Sequence, residues 1–407
     1  MTTVGIISEY NPFHNGHLHL MEEARRKTGA SCVFSVMSGD FVQRGAPALF
    51  DKYTRAGAAL EYSDIVFELP FYFATASAEF FAYGAVSLLT ALHSDFVAFG
   101  TECGETEPLM ELAGYLREEP APFKEALNES LKAGNPFPVA RRDAVVKCLG
   151  FDHAKYLNEP NNLLGIEYCK AILKLKEEGK NPPKPITIKR ESNFNDTELE
   201  PGMLPSALAL RIPLVQGDIS TARSFIPEKS VWRYEKALQA GVPGKFEKLS
   251  KILAYCLLTE TEESIAKYAD WNEDLANRVL GIAKESNVSF AELPYKLKSK
   301  NITYTRASRM LLSLVLKKKN NTLQRAIYEG GAFYARILGV NSASTSLLKA
   351  ISDKADIPVI NKVATGELEL SGTAKELLQA DITAANFYNL LFCENAPDDY
   401  RNGIVLV

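Results

Sequence analysis

The chain lacks any Cys-x-x-Cys pair; its six cysteines (Cys32, Cys103, Cys148, Cys169, Cys256 and Cys393) are scattered along its length. Such spacing excludes a zinc ribbon and a disulfide framework, and it fits reduced thiols in a cytoplasmic protein. No signal-peptide pattern is present, which agrees with that location. Positive charge is not in excess either: 46 Lys and Arg against 50 Asp and Glu leave a net charge of −4. The protein as a whole therefore exerts no non-specific pull on nucleic acid, and any RNA contact must come from a local basic surface. Long apolar runs are also scarce. The one stretch long enough to resemble a membrane span, Phe71 to Leu92, has Glu79 as its only charge but carries Thr75, Ser77, Ser87 and Thr90. Those residues fit a buried helix between two strands, and no membrane partner is expected.

What is present is a regular alternation. Strand-like runs at Val4–Ser8, Ser31–Met37, Ile65–Glu68 and Phe96–Phe99 are separated by helical spacing near His17–Lys27, Tyr53–Glu61 and Ser77–Leu92. The order βαβαβαβ implies a Rossmann-like α/β fold, a parallel sheet covered on both faces. A helical stretch from about 105 to 178 is followed by a strand-like Ile186–Lys189. Beyond about 215 the chain reads as helical to roughly 340 and mixed from 341 to 407. At 407 residues more than one core is expected. The division is an α/β domain over 1–215 and a mainly α-helical region over 216–407.

The densest chemistry lies at the first strand-to-helix junction, Glu9-Tyr10-Asn11-Pro12-Phe13-His14-Asn15-Gly16-His17. Two imidazoles and a glycine meet there at a helix N-terminus, where the dipole and free N–H groups favour an anion. Gly16 is expected to let backbone approach a phosphate. His14 and His17 can donate hydrogen bonds to oxygens that gain charge during attack on an α-phosphate. In parallel sheets ligands bind beyond the carboxyl ends of the strands. Ser38-Gly39-Asp40-Phe41-Val42-Gln43-Arg44-Gly45 follows the second strand and Gly100-Thr101-Glu102 the fourth, so three loaded loops share one edge. Arg44 suits a carboxylate or a phosphate. Lys52 and Arg55, one helical turn apart, either add phosphate charge or sit on the surface. Asn161 and Asn162 either cap a helix or bond an adenine or ribose. Ser206 and Arg211 suit β- and γ-phosphate oxygens.

A second pattern lies far downstream. Between 296 and 325 stand Lys296, Lys298, Lys300, Arg306, Arg309, Lys317, Lys318, Lys319 and Arg325, with no Asp or Glu. In an acidic chain that excess implies an acidic macromolecule, with RNA backbone the natural partner.

The His-x-Gly-His run, with a downstream Ser-Ala-x-x-x-Arg segment, resembles the nucleotidylyltransferase superfamily. More closely, the sequence is similar to the bacterial tRNA(Met) cytidine acetate ligase family. The likeness rests on Glu9–His17, Met37–Gly45, Asp51-Lys52-Tyr53-x-Arg55-Ala56, Glu68-Leu69-Pro70, Phe99–Glu102, Asn161–Tyr168 and Ile188-Lys189-Arg190. The resemblance implies ATP-dependent activation of acetate as acetyl-adenylate. Transfer to the N4 amine of a cytidine in the elongator tRNA(Met) anticodon then follows, with Mg²⁺ alongside ATP. It implies catalytic roles for His14, His17 and Arg44. It implies ATP contacts from Ile7, Ser8, Glu9, Tyr10, Asn11, Pro12, Phe13, His14, Asn15, Gly16, His17, Leu18, His19 and Leu20, and from Gly100, Asn161, Asn162, Lys189, Arg190, Ser206 and Arg211. The chain departs from the family pattern at Asp40, at Phe194-Asn195-Asp196 and at Ser206-Ala207-Leu208-Ala209. Two other readings stand beside this one: an adenylyltransferase that builds a dinucleotide cofactor, and a tRNA-binding protein with a vestigial nucleotide site.

Overall fold

A computed structural model describes residues 1–190, 197–200, 202–241, 247–285, 287–393 and 398–407. Phe194, Asn195 and Asp196 lie outside the described residues. The strands are β1 (Thr3–Ser8), β2 (Cys32–Ser38), β3 (Phe41–Val42), β4 (Ala46–Pro47), β5 (Ile65–Leu69), β6 (Phe96–Thr101), β7 (Lys184–Lys189), β8 (Ala335–Val340), β9 (Val359–Ile360) and β10 (Val405–Leu406). β3 and β4 form a small antiparallel hairpin. The rest make one sheet in the order β10–β8–β5–β2–β1–β6–β7, with β9 beside β8. Every ladder in it is parallel except β5 with β8.

The expected strands and helices of the first hundred residues are all present, and the reason is chemical. β2 and β5 are buried at every position, so their sequences are mostly apolar, as a sheet covered on both faces requires, and two polar members, Ser35 and Glu68, bond to Tyr10 and to Lys52. One face packs on helices Asn15–Thr28, Lys52–Leu60, Ala207–Val215 and Glu228–Ala240. The other packs on Ala78–Ala91, Glu107–Glu118 and Pro160–Glu177. The apolar stretch after Pro70 breaks into two helices, Phe71–Ala74 and Ala78–Ala91. At about 1.5 Å per residue the longer one spans roughly 21 Å, short of a bilayer core of roughly 30 Å. Among the described residues no helix is long and apolar enough to cross a membrane.

The sheet does not stop at residue 215. The region beyond it is mainly helical, yet β8, β9 and β10 return to the sheet and extend it past β5. A buried ion cluster accompanies the return. Lys52 Nζ lies 3.1 Å from Glu68 and 3.2 Å from Asp399, and Arg336 lies 3.2 Å from Glu68 and 2.8 Å from Asp399. All four side chains are almost wholly buried. Glu68 and Arg336 are direct partners across β5 and β8, where opposite charges reinforce pairing. Tyr53 completes the cluster, donating to Asp399 at 2.8 Å and accepting from Arg336 at 3.0 Å. Two cations and two anions thus satisfy one another, and the adjoining side chain of Lys52 is neither a surface group nor a phosphate ligand.

Removing one member leaves an uncompensated buried charge, which costs about 3–5 kcal/mol. Asp399→Ala is expected to lower unfolding stability by that amount in a urea titration, whereas Lys349→Ala, outside any ion pair among the described residues, changes it by less than about 0.5 kcal/mol.

Candidate active site

The turn after β1 is fixed by buried side chains. Tyr10 is fully buried, with φ +44°, and its hydroxyl lies 2.7 Å from Ser35 Oγ on β2. Asn11 Oδ1 accepts from Leu49 N at 2.7 Å, and Phe13 N donates to Tyr234 Oη at 2.9 Å. The Asn11–Pro12 peptide is cis. His14 stands at the N-cap of helix Asn15–Thr28, where its Nδ1 accepts from Gly16 N at 3.0 Å. A neutral imidazole that accepts at Nδ1 carries its proton on Nε2. Gly16 therefore has a different task from the one expected: its amide is taken by His14. A Cβ there would sit 2.9 Å from His14 Cε1, so glycine keeps the capping imidazole in place.

The His17 ring lies 3.9 Å from that of His14, stacks on Phe13 at 5.9 Å and meets the edge of Tyr10 at 5.0 Å. Its buried Nδ1 has no hydrogen-bond partner among the described residues. Burial first, and the Arg190 charge second, push His17 down to about 3. Burial, then His17, Arg190 and Arg211, hold His14 well below the usual imidazole range. Both rings are neutral at physiological pH.

These rings line a cavity of about 190 Å³ at the carboxyl ends of β1 and β6, where the strand order reverses around β1. Of the expected ATP residues, Ile7, Ser8, Glu9, Tyr10, Asn11, His14, His17, Leu20, Gly100, Asn161, Arg190, Ser206 and Arg211 line it, as does Arg44 with Gln43. Gly16, His19 and Lys189 line a small adjoining recess. Pro12, Phe13, Asn15, Leu18 and Asn162 line neither: Phe13 is core, Asn15 Nδ2 bonds Ser224 O at 3.1 Å, and Asn162 Oδ1 accepts from Cys103 N at 3.1 Å. The two asparagines do not cap their own helix. Glu102 does so, accepting from Asn161 N at 3.1 Å, Asn161 Nδ2 at 2.6 Å and Asn162 N at 2.8 Å. Ser206 Oγ caps helix Ala207–Val215 by accepting from Ala209 N at 3.0 Å. Arg211 Nη1 donates to Asn11 O at 2.8 Å, and burial with the nearby Arg44 charge lowers it to about 10.

Several determinants are not local in sequence. Phe81, Phe99, Leu164 and Tyr168 give the cavity an apolar wall, and nothing in their spacing marks them off from core. Arg55 is completely buried and touches no ligand space. Its guanidinium donates to Phe50 O at 2.8 Å, Glu9 O at 2.6 Å, Ser38 O at 3.1 Å and Gly39 O. Asp40 is also buried; its Oδ1 accepts from Lys52 N at 2.7 Å, and burial lifts its carboxyl to about 7.

The basic segment needs correction. Lys318 cannot meet RNA: it is buried, its Nζ donates to Thr75 O at 2.9 Å, and burial lowers it to about 7. Lys317 pairs with Glu260, Arg325 with Glu376, and Arg309 with Asp270 at 3.4 Å. Carboxylates from outside the segment thus neutralise charges that look unpaired in sequence. Lys296, Lys298, Lys300, Arg306 and Lys319 keep no carboxylate partner among the described residues.

The same geometry has relatives. The HIGH Nucleotidyl Transferase family model matches residues 1–402. A tRNA(Met) cytidine acetate ligase of Clostridium perfringens is 37% identical over 402 residues, covering 96% of each chain. One from Caldanaerobacter subterraneus is 37% identical over 397 residues, with the same coverage. Apo TmcAL of Thermotoga maritima superposes over the full length of both chains with a TM-score of 0.92 at 30% identity. Its form bound with alpha-thio ATP gives 0.89 at 29% identity. With the paired imidazoles, the cleft beside β1 and this full-length similarity in view, the chain belongs to the tRNA(Met) cytidine acetate ligase family of HIGH nucleotidyl transferases.

Proposed function

We propose that this chain is an ATP-dependent ligase that acetylates the N4 amine of a cytidine in the anticodon of elongator tRNA(Met), in the cytoplasm. The observation that carries the ATP half is the neutral His14–His17 pair at a helix N-terminus, facing a cleft that also holds Arg44, Arg190 and Arg211. The acceptor is supported by the names of the relatives and by the unpaired cations at 296–306.

In the first step an acetate oxygen attacks the α-phosphorus of ATP, and the bond to the β-phosphate oxygen breaks with release of pyrophosphate. Negative charge grows on the α-phosphate oxygens. His14, with its proton on Nε2, and His17 donate to them as neutral imidazoles, and the three guanidiniums offset the remaining phosphate charge. Arg44, beside Gln43 at the cleft edge, suits the acetate carboxylate. In the second step the cytidine amine attacks the acyl carbon, AMP leaves with the electron pair, and one proton is lost from nitrogen. No enzyme nucleophile is needed, because the adenylate already activates the acyl group.

Mg²⁺ is expected with ATP, but the described residues contain no group of three His, Cys, Asp or Glu side chains fit to hold a metal. Glu9 is the one carboxylate on the cleft wall among them. The fit is to an ion that arrives on the triphosphate, as Mg²⁺ commonly does. A dinucleotide-forming adenylyltransferase would use the same ATP half and leave the cations of 296–306 without a role.

His17→Ala is expected to slow acetate-dependent ATP–pyrophosphate exchange by about 3–4 kcal/mol of transition-state stabilisation, roughly 10²–10³-fold, with an unchanged melting temperature. An unchanged exchange rate in the folded variant removes His17 from the mechanism. Both imidazoles titrate below their usual value, so neither changes charge between about pH 6 and 8. The exchange rate should show no break near 6.5, and a break there would mean that one ring works in its charged form. Incubation with ATP and labelled acetate, without RNA, should yield acetyl-AMP by mass spectrometry. A dinucleotide formed from pantetheine phosphate or nicotinate mononucleotide, with no acetyl-AMP, would select the rival reading.

A further inference from the structure

The cations without carboxylate partners are not spread evenly. Lys296, Lys298 and Lys300 lie on the end of helix Leu293–Leu297 and the turn after it, and Arg306 lies on the first turn of helix Tyr304–Val315. The turn is held rigidly. Ser299 and Ile302 exchange two backbone hydrogen bonds, of 3.1 and 3.2 Å, and Leu297 and Ile302 are buried beneath it. Arg278 Nη2 donates to Lys296 O at 3.0 Å, which adds a further cation to the same patch.

Two aromatic rings stand among these charges. Tyr295 and Tyr304 have centroids 4.6 Å apart at 50°. Tyr295 is 67% exposed, so most of that ring is open to solvent, while the half-buried Tyr304 ring packs against it. A large aromatic left open between lysines is the combination that binds unpaired bases. The ring stacks on the base, and the ammonium groups meet the phosphates on either side.

The patch is tied to the edge of the cleft through one helix. Helix Tyr304–Val315 abuts the loop that carries Gln43 and Arg44: Ser308 Oγ donates to Gly45 O at 2.8 Å. A Cβ on Gly45, whose φ is +75°, would sit 2.3 Å from Arg309 N. Only glycine allows this approach, and it sets the helix bearing Tyr304 against the cleft edge.

We propose that Tyr295, backed by Tyr304, is a stacking platform for an unpaired base of the tRNA loop, with Lys296, Lys298, Lys300 and Arg306 holding the flanking phosphates. It fixes the loop beside the cleft by gripping a nucleotide other than the one that reacts. The proposal rests on the tRNA reading above, and the following measurements separate the two.

Affinity for a tRNA(Met) transcript is measured by fluorescence anisotropy between about 50 and 200 mM salt, with melting temperatures to verify folding. Tyr295→Ala is expected to weaken binding about 5- to 100-fold with the wild-type dependence on salt, because it removes a ring and no charge. Tyr295→Phe should bind as wild type. The double variant Lys298→Ala with Lys300→Ala should instead flatten the slope of log K against log salt by up to about 2. Wild-type affinity in Tyr295→Ala, or a Phe variant as weak as the Ala variant, overturns the platform while the lysine-dependent slope upholds the tRNA reading. No salt-dependent RNA binding by the wild type overturns both. Unchanged RNA affinity with loss of self-association in Tyr295→Ala would assign the ring pair to a contact between copies of the chain.

Discussion

The site depends on one buried guanidinium. Among the described residues no carboxylate pairs with Arg55; it is satisfied by backbone carbonyls at Glu9, Ser38, Gly39 and Phe50. These belong to the loops after β1 and β2 and to the segment entering helix Lys52–Leu60. A planar donor set of fixed geometry can hold three segments at once, which a flexible ammonium cannot do. The loop with the imidazoles and the loop with Gln43 and Arg44 are thus fixed relative to one another before any ligand arrives. The same placement lets the ion cluster of Lys52, Glu68, Arg336 and Asp399 sit beneath the second loop, where a Cβ on Gly39 would lie 2.4 Å from Glu68 Oε1.

The imidazoles show why burial is useful here. A phosphate site lined with protonated histidines would bind ATP by charge alone, equally in the ground state and the transition state. In the proposed reaction, neutral rings contribute mainly when charge grows on the oxygens they face, which concentrates their effect in the transition state. Phe13 and Tyr10 produce this state by enclosing His17, and Arg190 strengthens it by opposing protonation.

Much of this was legible in the sequence, and the limits have physical causes. β1, β2, β5 and β6 stood out because strands covered on both faces are short, predominantly apolar runs. The His14–His17 turn stood out because its residues are adjacent in the chain. The roles of Lys52 and Arg55 were not legible, since helical spacing places them on one face without saying what covers that face. Their partners are a strand carboxylate, a distant Asp399 and backbone carbonyls. The charge run at 296–325 misled for a related reason: a window free of Asp and Glu says nothing about Glu260, Asp270 or Glu376 folding onto it. Lys318 sits in the run yet serves the core, where its ammonium bonds Thr75 O and lies 5.8 and 5.7 Å from the rings of Phe71 and Tyr72. β8 escaped notice because its antiparallel return to β5 leaves no βαβ alternation behind it, and β10 because it is only two residues long.

That return has a consequence for the making of the protein. Lys52 and Asp399 are 347 residues apart, so a ribosome adding about 5–20 residues per second delivers the second roughly 17–70 s after the first. For most of that interval the strands beside the cleft exist on the growing chain before Arg336 and β8 are made, so Glu68 has no Arg336 opposite it and β5 has an open edge. An exposed apolar strand with unpaired backbone is the form most prone to pairing with the wrong chain. The cleft is thus lined by residues within 7–211, whereas the ion cluster beneath its second loop closes only when Asp399 is made. Until β8 arrives, that open β5 edge is the part of the nascent chain most exposed to a neighbour.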